Sequence, residues 1–313
     1  MNSHNNFASM GGSSNNLDIM ILRIRWLIIL LAALLGAAPT RSAPLSPEIS
    51  IAFIDVGQGD AILIRDGSGY DILVDGGRKS AGEELIDYIL AAGVDDLEVI
   101  LATHADSDHI GGLIKVLESD EIPVEGVYYN GYPGDTLTWQ EFTAAVTADG
   151  LLLISLQFPQ NHNWGEFEVQ VLNPPVSLID PEQNEASVVL IIGYAQMSVL
   201  LTADIDSGVE QLLPGRTSTL KADILKVAHH GSKYSSSTTF LEQVQPTEAI
   251  ISVGLNPYGH PAPETLARLS AVGAHIWRTD ALGTVHLTSD GSSYEMLPKI
   301  TYLPLLLQVF THP

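Results

Sequence analysis

The sequence predicts an α/β protein built as a four-layer αββα sandwich, with helices outside two facing sheets. Three observations predict it. Apolar β runs open the region after residue 48. Strand–helix alternation follows, and the same succession returns from Glu166 onward. No linker between 48 and 300 is long enough to divide that region. With 313 residues and 45% hydrophobic content, the chain can bury one large core or two smaller ones.

The elements follow in order. Ile49–Val56 and Asp60–Arg65 are apolar runs joined by a glycine turn and read as a hairpin. Tyr70–Val74 reads as a third strand, ending at Asp75-Gly-Gly77. Glu83–Ala92 carries Leu85, Ile86, Ile89 and Leu90 at helical spacing, with Gly93 as its stop. Leu97–Thr103 reads as a buried strand and Ile110–Leu117 as a helix. From 120 to 165 the pattern weakens. There Val124–Tyr129 reads as a strand, and Thr138–Ala148 as a helix with Trp139, Phe142 and Val146 on a core face. Strands are expected at Glu166–Leu172, Ala186–Tyr194, Gln196–Thr202, Asp223–Ala228 and Ala249–Val253. Asp206–Leu213 and Phe240–Val244 read as short helices. A helix over 263–272 and strands at 274–278 and 283–288 close the domain. The apolar tail Tyr302–Phe310 shows no period; it reads as a final strand or has no account.

Composition bounds the function. There are no cysteines, so neither disulfides nor a thiolate metal site can form. Arg23 and Arg25 precede the apolar run Trp26–Ala38, then small residues and Pro39. Residues 1–43 are therefore expected to be a leader, either a cleaved signal peptide or a signal anchor, ahead of a single domain at 44–313. The expected location is secreted or extracytoplasmic, with membrane anchoring through that segment as the variant. The formal net charge is −23, and about −25 without residues 1–43. Such a surface repels polyanions at long range and offers no basic stripe, so stable binding of duplex DNA is not expected. The same charge also suits solubility or a saline exterior.

His104-Ala-Asp106-Ser-Asp108-His109 is the sharpest signal. Four metal-ligating side chains fall within six residues, between a buried strand and a helix. Imidazole and carboxylate together suit zinc, manganese or iron. Three later positions repeat the logic: Asp204 ends one apolar strand, His229 and His230 end another, and His260 follows a third. Strand ends of one layered fold converge on one edge. The expected ligands are His104, Asp106, Asp108, His109, Asp204, His229, His230 and His260. Asp204 is placed to bridge two cations.

The surrounding blocks are Phe53–Asp60, Val74–Gly77, Leu201–Asp204, Lys226–Ser232 and Asn256–Pro261. Together with His104–His109 they resemble the metallo-β-lactamase fold, in its ComEC-type competence branch. That resemblance implies an αββα sandwich, two divalent metal ions (zinc or manganese) and hydrolysis, in this branch of phosphate esters. It also marks departures. Asp106 stands where the family motif has its second histidine. A further histidine, expected before Asp204, is missing; Asn184 is in its neighbourhood, either a weak oxygen ligand or a loop residue. Oxygen for nitrogen shifts preference from zinc somewhat toward manganese. ComEC proteins carry a membrane channel ahead of this module, whereas one short hydrophobic segment precedes it here.

The implied chemistry is in-line attack on phosphorus by a hydroxide held between the ions. Asp108 and His230 are the expected catalytic pair, Asp108 orienting the water. Ser232 and Lys233 are expected to hold a phosphate oxygen, and Asp55, Asp60 and Asp75 to fix turns and hydrogen-bond the ligands. The substrate expected is a phosphate ester, with single-stranded DNA as one form. Two alternatives stand beside it: hydrolysis of a small ester, lactone or choline-phosphate group, and a non-catalytic surface protein stapled by metal.

Overall fold

The computed structural model describes residues 48–298. The leader expected over 1–43 and the tail Tyr302–Phe310 lie outside the described residues. Among the described residues no helix is long and apolar enough to cross a membrane.

Two mixed sheets form the centre. The first holds β1 (Ile49–Phe53), β2 (Ile62–Arg65), β3 (Asp71–Val74), β4 (Val99–Ala102), β5 (Val127–Tyr129), β6 (Leu153–Ser155), β14 (Val285–Ser289) and β15 (Tyr294–Pro298), in the order β15-β14-β1-β2-β3-β4-β5-β6. The second holds β7 (Asn161–Trp164), β8 (Phe167–Asn173), β9 (Val189–Tyr194), β10 (Met197–Leu201), β11 (Ile224–Lys226), β12 (Glu248–Ile251) and β13 (His275–Arg278), in the order β13-β12-β11-β10-β9-β8-β7.

Side-chain parity makes the layers. Strand residues alternate between faces. Ile49, Ile51 and Phe53 of β1 point into the core between the sheets, as do Val99 and Leu101 of β4, Val199 and Leu201 of β10, and Ile250 of β12. Ala52, Ile100 and Ala102 point the other way, onto α1 (Gly82–Ala91), α2 (Ser107–Leu117) and α3 (Leu137–Ala148). Leu200, Leu225, Ala249 and Ile251 likewise face α4 (Ser207–Glu210), α5 (Thr238–Val244) and α6 (Pro263–Ala271). A single helical turn, α7 (Thr279–Leu282), leads into β14. The expected αββα sandwich is the observed one.

The weak region between 120 and 165 holds two strands that the sequence reading does not supply, β6 and β7, and β15 is a third. Each is three to five residues long and mostly exposed or half-buried. The Asn-His-Asn-Trp run of β7 has none of the β-branched character that marks a strand. The hairpin pairing β1 with β2, the stop at Gly93 (φ 78°) and the shared core face of Trp139, Phe142 and Val146 agree with expectation.

Candidate metal centre

The site lies where strand ends of both sheets meet the N-terminus of α2. Two loops clamp that helix. Gly76 N–H donates to His109 O at 2.7 Å, and Gly112 N–H to Gly77 O at 2.9 Å. A Cβ on Gly112 would meet Gly76 O at 1.9 Å, so only glycine permits this approach. On the other side Asp60 N–H donates to Asp108 O at 3.2 Å. His109 and Asp108 thereby face the second sheet.

From that sheet, Asp204 arrives after β10 and the His pair after β11. Ala203 (φ 43°), His229 (φ 50°) and His230 (φ 52°) all adopt left-handed backbone, as does Asp75 (φ 56°). Each such non-glycine residue costs on the order of 1–3 kcal/mol, and such strain clusters at functional sites. The bend is tied by His229 N–H to Ala203 O at 2.9 Å and by Ala262 N–H to Gly231 O at 2.8 Å.

The predicted residues meet. His109 Nε2 is 3.4 Å from Asp204 Oδ1, and His230 Nε2 is 3.4 Å from Asp204 Oδ2. His104 Nε2 lies 3.5 Å from Asp106 Oδ2, and His230 Nε2 lies 3.7 Å from Asp108 Oδ2. His229 Nε2 is 3.8 Å from Asp204 Oδ2. Two ligands, each ~2.1 Å from one ion at a tetrahedral angle, are about 3.4 Å apart. These pairs have that spacing, which is long for a charge-assisted hydrogen bond. The buried Nε2 atoms of His104, His109 and His230 and Oδ1 of Asp204 have no hydrogen-bond partner. Unpaired buried polar atoms are costly, so their convergence fits a cation.

The opposite edges of the rings are all occupied. His109 Nδ1–H donates to Asp75 Oδ2 at 2.7 Å, and His230 Nδ1–H to Ser252 O at 2.9 Å. His104 Nδ1 is 3.0 Å from Thr103 Oγ1, whose hydroxyl donates to Asp75 Oδ2 at 2.7 Å. With Nδ1 as donor, each Nε2 lone pair is left for a metal. Asp75 thus does what the sequence suggested, and Asp55 caps its own turn through Gly57 N–H.

The electrostatics call for positive charge. Burial pushes the His109 pKa down, but Asp204 and Asp75 outweigh it and hold it well above the ordinary value. Burial raises Asp204, yet His230 and His109 bring it well below the carboxylate range. The His104 contact holds Asp106 low, against burial. His230 is raised, since Asp204 and Asp60 overcome its burial. Burial lowers His229 and His260. Asp60, Asp75, Asp106, Asp108 and Asp204 are five carboxylates, and Lys226, 2.7 Å from Asp60, is the buried ammonium among them. Two divalent cations would balance the remaining charge.

Not all predicted positions stand alike. His104, Asp108, His109, Asp204 and His230 fall into tight groups of three, together with Asp60 and Asp75. Asp106 and His229 adjoin those groups through single contacts. His260 packs its ring 5.4 Å from that of His229, and its Nδ1 is buried without a partner. Asn184 lines one cavity with Asp106 and His229. Ser232 is buried, its Oγ accepting the Tyr234 N–H at 3.3 Å, whereas Lys233 is exposed. His286 sits in β14 with Nδ1 3.4 Å from Tyr88 Oη.

Sequence reasoning missed Thr103, Lys226 and Ser252. Lys226 had a signal: a lysine inside an apolar strand is almost never buried unless paired.

The family model of the metallo-beta-lactamase superfamily matches residues 54–254. ComE operon protein 3 of Bacillus subtilis is 31% identical over 262 residues, 77% of this chain and 33% of that protein. Competence protein ComA of Neisseria gonorrhoeae is 30% identical over 263 residues, 83% of this chain and 35% of that protein. The chain thus spans about a third of the length of these relatives. The metallo-beta-lactamase fold protein YhfI from Bacillus subtilis has a similar fold, with a TM-score of 0.53 at 14% identity, covering 78% of this chain and 100% of that one. The chain belongs to the metallo-beta-lactamase superfamily and is similar within it to ComEC-type competence proteins.

Proposed function

We propose that this protein is an exported metal-dependent hydrolase that cleaves phosphodiester bonds, with single-stranded DNA as a substrate. One observation carries the reading: unpartnered imidazole nitrogens and carboxylate oxygens from both sheets converge on Asp204. His104 and Asp106 would hold one divalent ion and Asp108, His109 and His230 a second, with Asp204 shared and His229 beside it. Zinc and manganese both suit this donor set. Such ions, when bound, lower the pKa of water from 15.7 toward about 7 and polarise phosphoryl oxygens.

The chain's own residues do the rest. Asp75 and the Ser252 carbonyl fix the imidazole tautomers. Asp108, only partly engaged by His230 at 3.7 Å, is open enough to orient a water and accept its proton. Lys233, on the rim of the adjoining cavity, would hold a phosphate oxygen. The likeness to ComEC-type proteins, the branch in which phosphate esters are the expected substrates, supports single-stranded DNA as the polymer.

A second reading has its own observation. The cavity of about 770 Å³ beside Asp106 and His229 is lined by Glu182, Glu185 and Asp206 against one cation, Arg216. An acidic wall favours a small neutral or cationic ester, such as a lactone or a choline-phosphate group, over a polyanion.

The test is turnover of bis-(p-nitrophenyl) phosphate with Mn²⁺ or Zn²⁺, then of single-stranded DNA and small esters. Asp108→Ala/His109→Ala is expected to lose activity by at least a hundredfold while keeping its circular dichroism spectrum. Undiminished turnover refutes the proposal; activity on small esters alone selects the second reading.

A further inference from the structure

A second cavity, of about 520 Å³, opens beside the metal centre. His229 and Tyr234 border both it and the acidic cavity, so the two adjoin at that edge of the site. Their linings differ sharply. In place of an acidic wall, this one adds Lys233, Tyr258 and His260 to the shared Tyr234, with Glu264 as its carboxylate. Tyr234 is 68% exposed and Tyr258 66%, and Leu255 on the same loop is fully exposed. Lys233 Nζ stands 5.0 Å from the Tyr234 ring centroid. The Tyr258 ring is 5.8 Å from that of His260, and the His260 ring is 5.4 Å from that of His229. Aromatic surface therefore continues from solvent to the metal centre.

Both loops are held from beneath. Arg268 donates to Ser236 O at 2.7 Å, Ser235 O at 2.7 Å and Lys233 O at 3.2 Å. Glu210 accepts the Ser236 and Ser237 N–H groups. In the facing loop Asn256 accepts the Tyr258 and His260 N–H groups, both at 3.1 Å, and donates to Gly254 O and His260 O. Rigid backbone under exposed aromatic side chains is a preorganised platform, not a frayed surface. His260 adds a buried Nδ1 that has no partner.

We propose that this cavity is a subsite for the base of a nucleotide whose phosphate sits at the metal centre. The assignment rests on the phosphodiesterase reading and gives it a substrate class. A base stacks on tyrosine whatever its sequence, and a neighbouring lysine meets the backbone charge. The adjoining acidic cavity has Tyr234 as its one tyrosine and turns Glu182, Glu185 and Asp206 toward any phosphate. A strand can thus lie on the Tyr234–Tyr258 side and is repelled on the other.

Stacking contributes roughly 1–3 kcal/mol per base, which is roughly 5- to 100-fold in affinity. The experiment is equilibrium binding of thymidine 5′-monophosphate and of 2-deoxyribose 5-phosphate to the metal-loaded full chain. Wild type is expected to favour the nucleotide by that factor. Tyr234→Leu/Tyr258→Leu is expected to erase the difference and leave sugar-phosphate affinity unchanged. Tyr234→Phe/Tyr258→Phe is expected to retain it. Both positions are mostly exposed, so the core is untouched. Equal wild-type affinities, equal loss of both ligands in the leucine variant, or no binding of either ligand overturns the subsite. Because the readout is binding, it separates from the hydrolysis reading. Cleaved diesters with no preference for the base sink the subsite alone; a base preference without cleavage supports the subsite and sinks the hydrolase.

Discussion

Replacing Lys226 by methionine isolates the one buried ammonium beside the centre among the described residues. Lys226 is 0% and Asp60 2% exposed, with 2.7 Å between Nζ and Oδ2. At an effective dielectric of about 20, that attraction is about 6 kcal/mol, less the desolvation that the lysine no longer suffers. Methionine fills the space but leaves Asp60 without its main partner; His230, 3.5 Å away, and His109 remain. Breaking a buried pair from one side costs about 3–5 kcal/mol. For a domain of this size, each kcal/mol moves the midpoint by roughly 2–4 °C, so Lys226→Met is expected to lower Tm by about 6–20 °C at pH 7. Adding Asp60→Asn removes the stranded charge and is expected to recover more than half of the loss.

The pH dependence has a definite sign. Burial alone would raise the Asp60 pKa; Lys226 and His230 bring it well below its ordinary 3.8. A depressed carboxyl contributes stability that is present above pH 3.8 and lost as pH falls through the folded value. Lys226→Met removes that contribution, so the gap between variant and wild type narrows as the pH is lowered through the carboxylate range. Thermal melts followed by circular dichroism at pH 7, 5 and 3 measure it. A Tm change under 2 °C, a gap that does not vary with pH, or strict additivity with Asp60→Asn refutes the reasoning.

Two further outcomes are expected. Asp75→Asn keeps the left-handed backbone, which asparagine tolerates, but has one acceptor oxygen where the carboxylate has two: with that oxygen on the Thr103 hydroxyl and His109 Nδ1–H, its NH2 group faces the Thr103 N–H that Oδ1 accepts at 2.8 Å. Metal affinity by chelator competition should fall about 10- to 100-fold, and a change within twofold counts against the orienting role. Asp66 accepts hydrogen bonds from Ser68, Tyr70 and Glu166 that outweigh burial and hold its pKa below 3.8; Asp66→Asn should therefore lose stability above about pH 4 and match wild type at lower pH, as read by urea unfolding.

What the sequence disclosed follows from the range of the forces involved. Strands such as β1, β4 and β10 are buried on both faces, and their apolar runs are local signals. Short exposed strands such as β6 and β7 exist because a neighbouring strand pairs with them, and nothing local marks that. The ligands were legible as donor types at strand ends. Their support was legible only in part: Asp75 ends a strand and draws attention, whereas Thr103 and the Ser252 carbonyl matter only through where the chain places them. Lys226 shows the intermediate case, a residue whose environment is plain but whose partner, Asp60, lies far away in sequence. Tyr234 and Tyr258 read as loop residues until the fold brings their loops together.

The seam between the halves explains why the centre belongs to the whole sandwich. The first sheet and α2 contribute Asp60, Asp75, His104, Asp106, Asp108 and His109; the second contributes Asp204, Lys226, His229, His230 and His260. The first half alone gathers four carboxylates around two imidazoles, which is repulsive. The second alone gathers imidazoles on a strained left-handed bend at His229 and His230. The compensating contacts cross the seam: Asp60 with Lys226, His109 with Asp204, and Asp108 with His230. A cation that prefers the assembled geometry therefore stabilises the packing of one sheet against the other. The apolar core between the sheets in turn sets the ligand spacing, so strain in the bend, charge at the seam and burial between the sheets are resolved by the same arrangement.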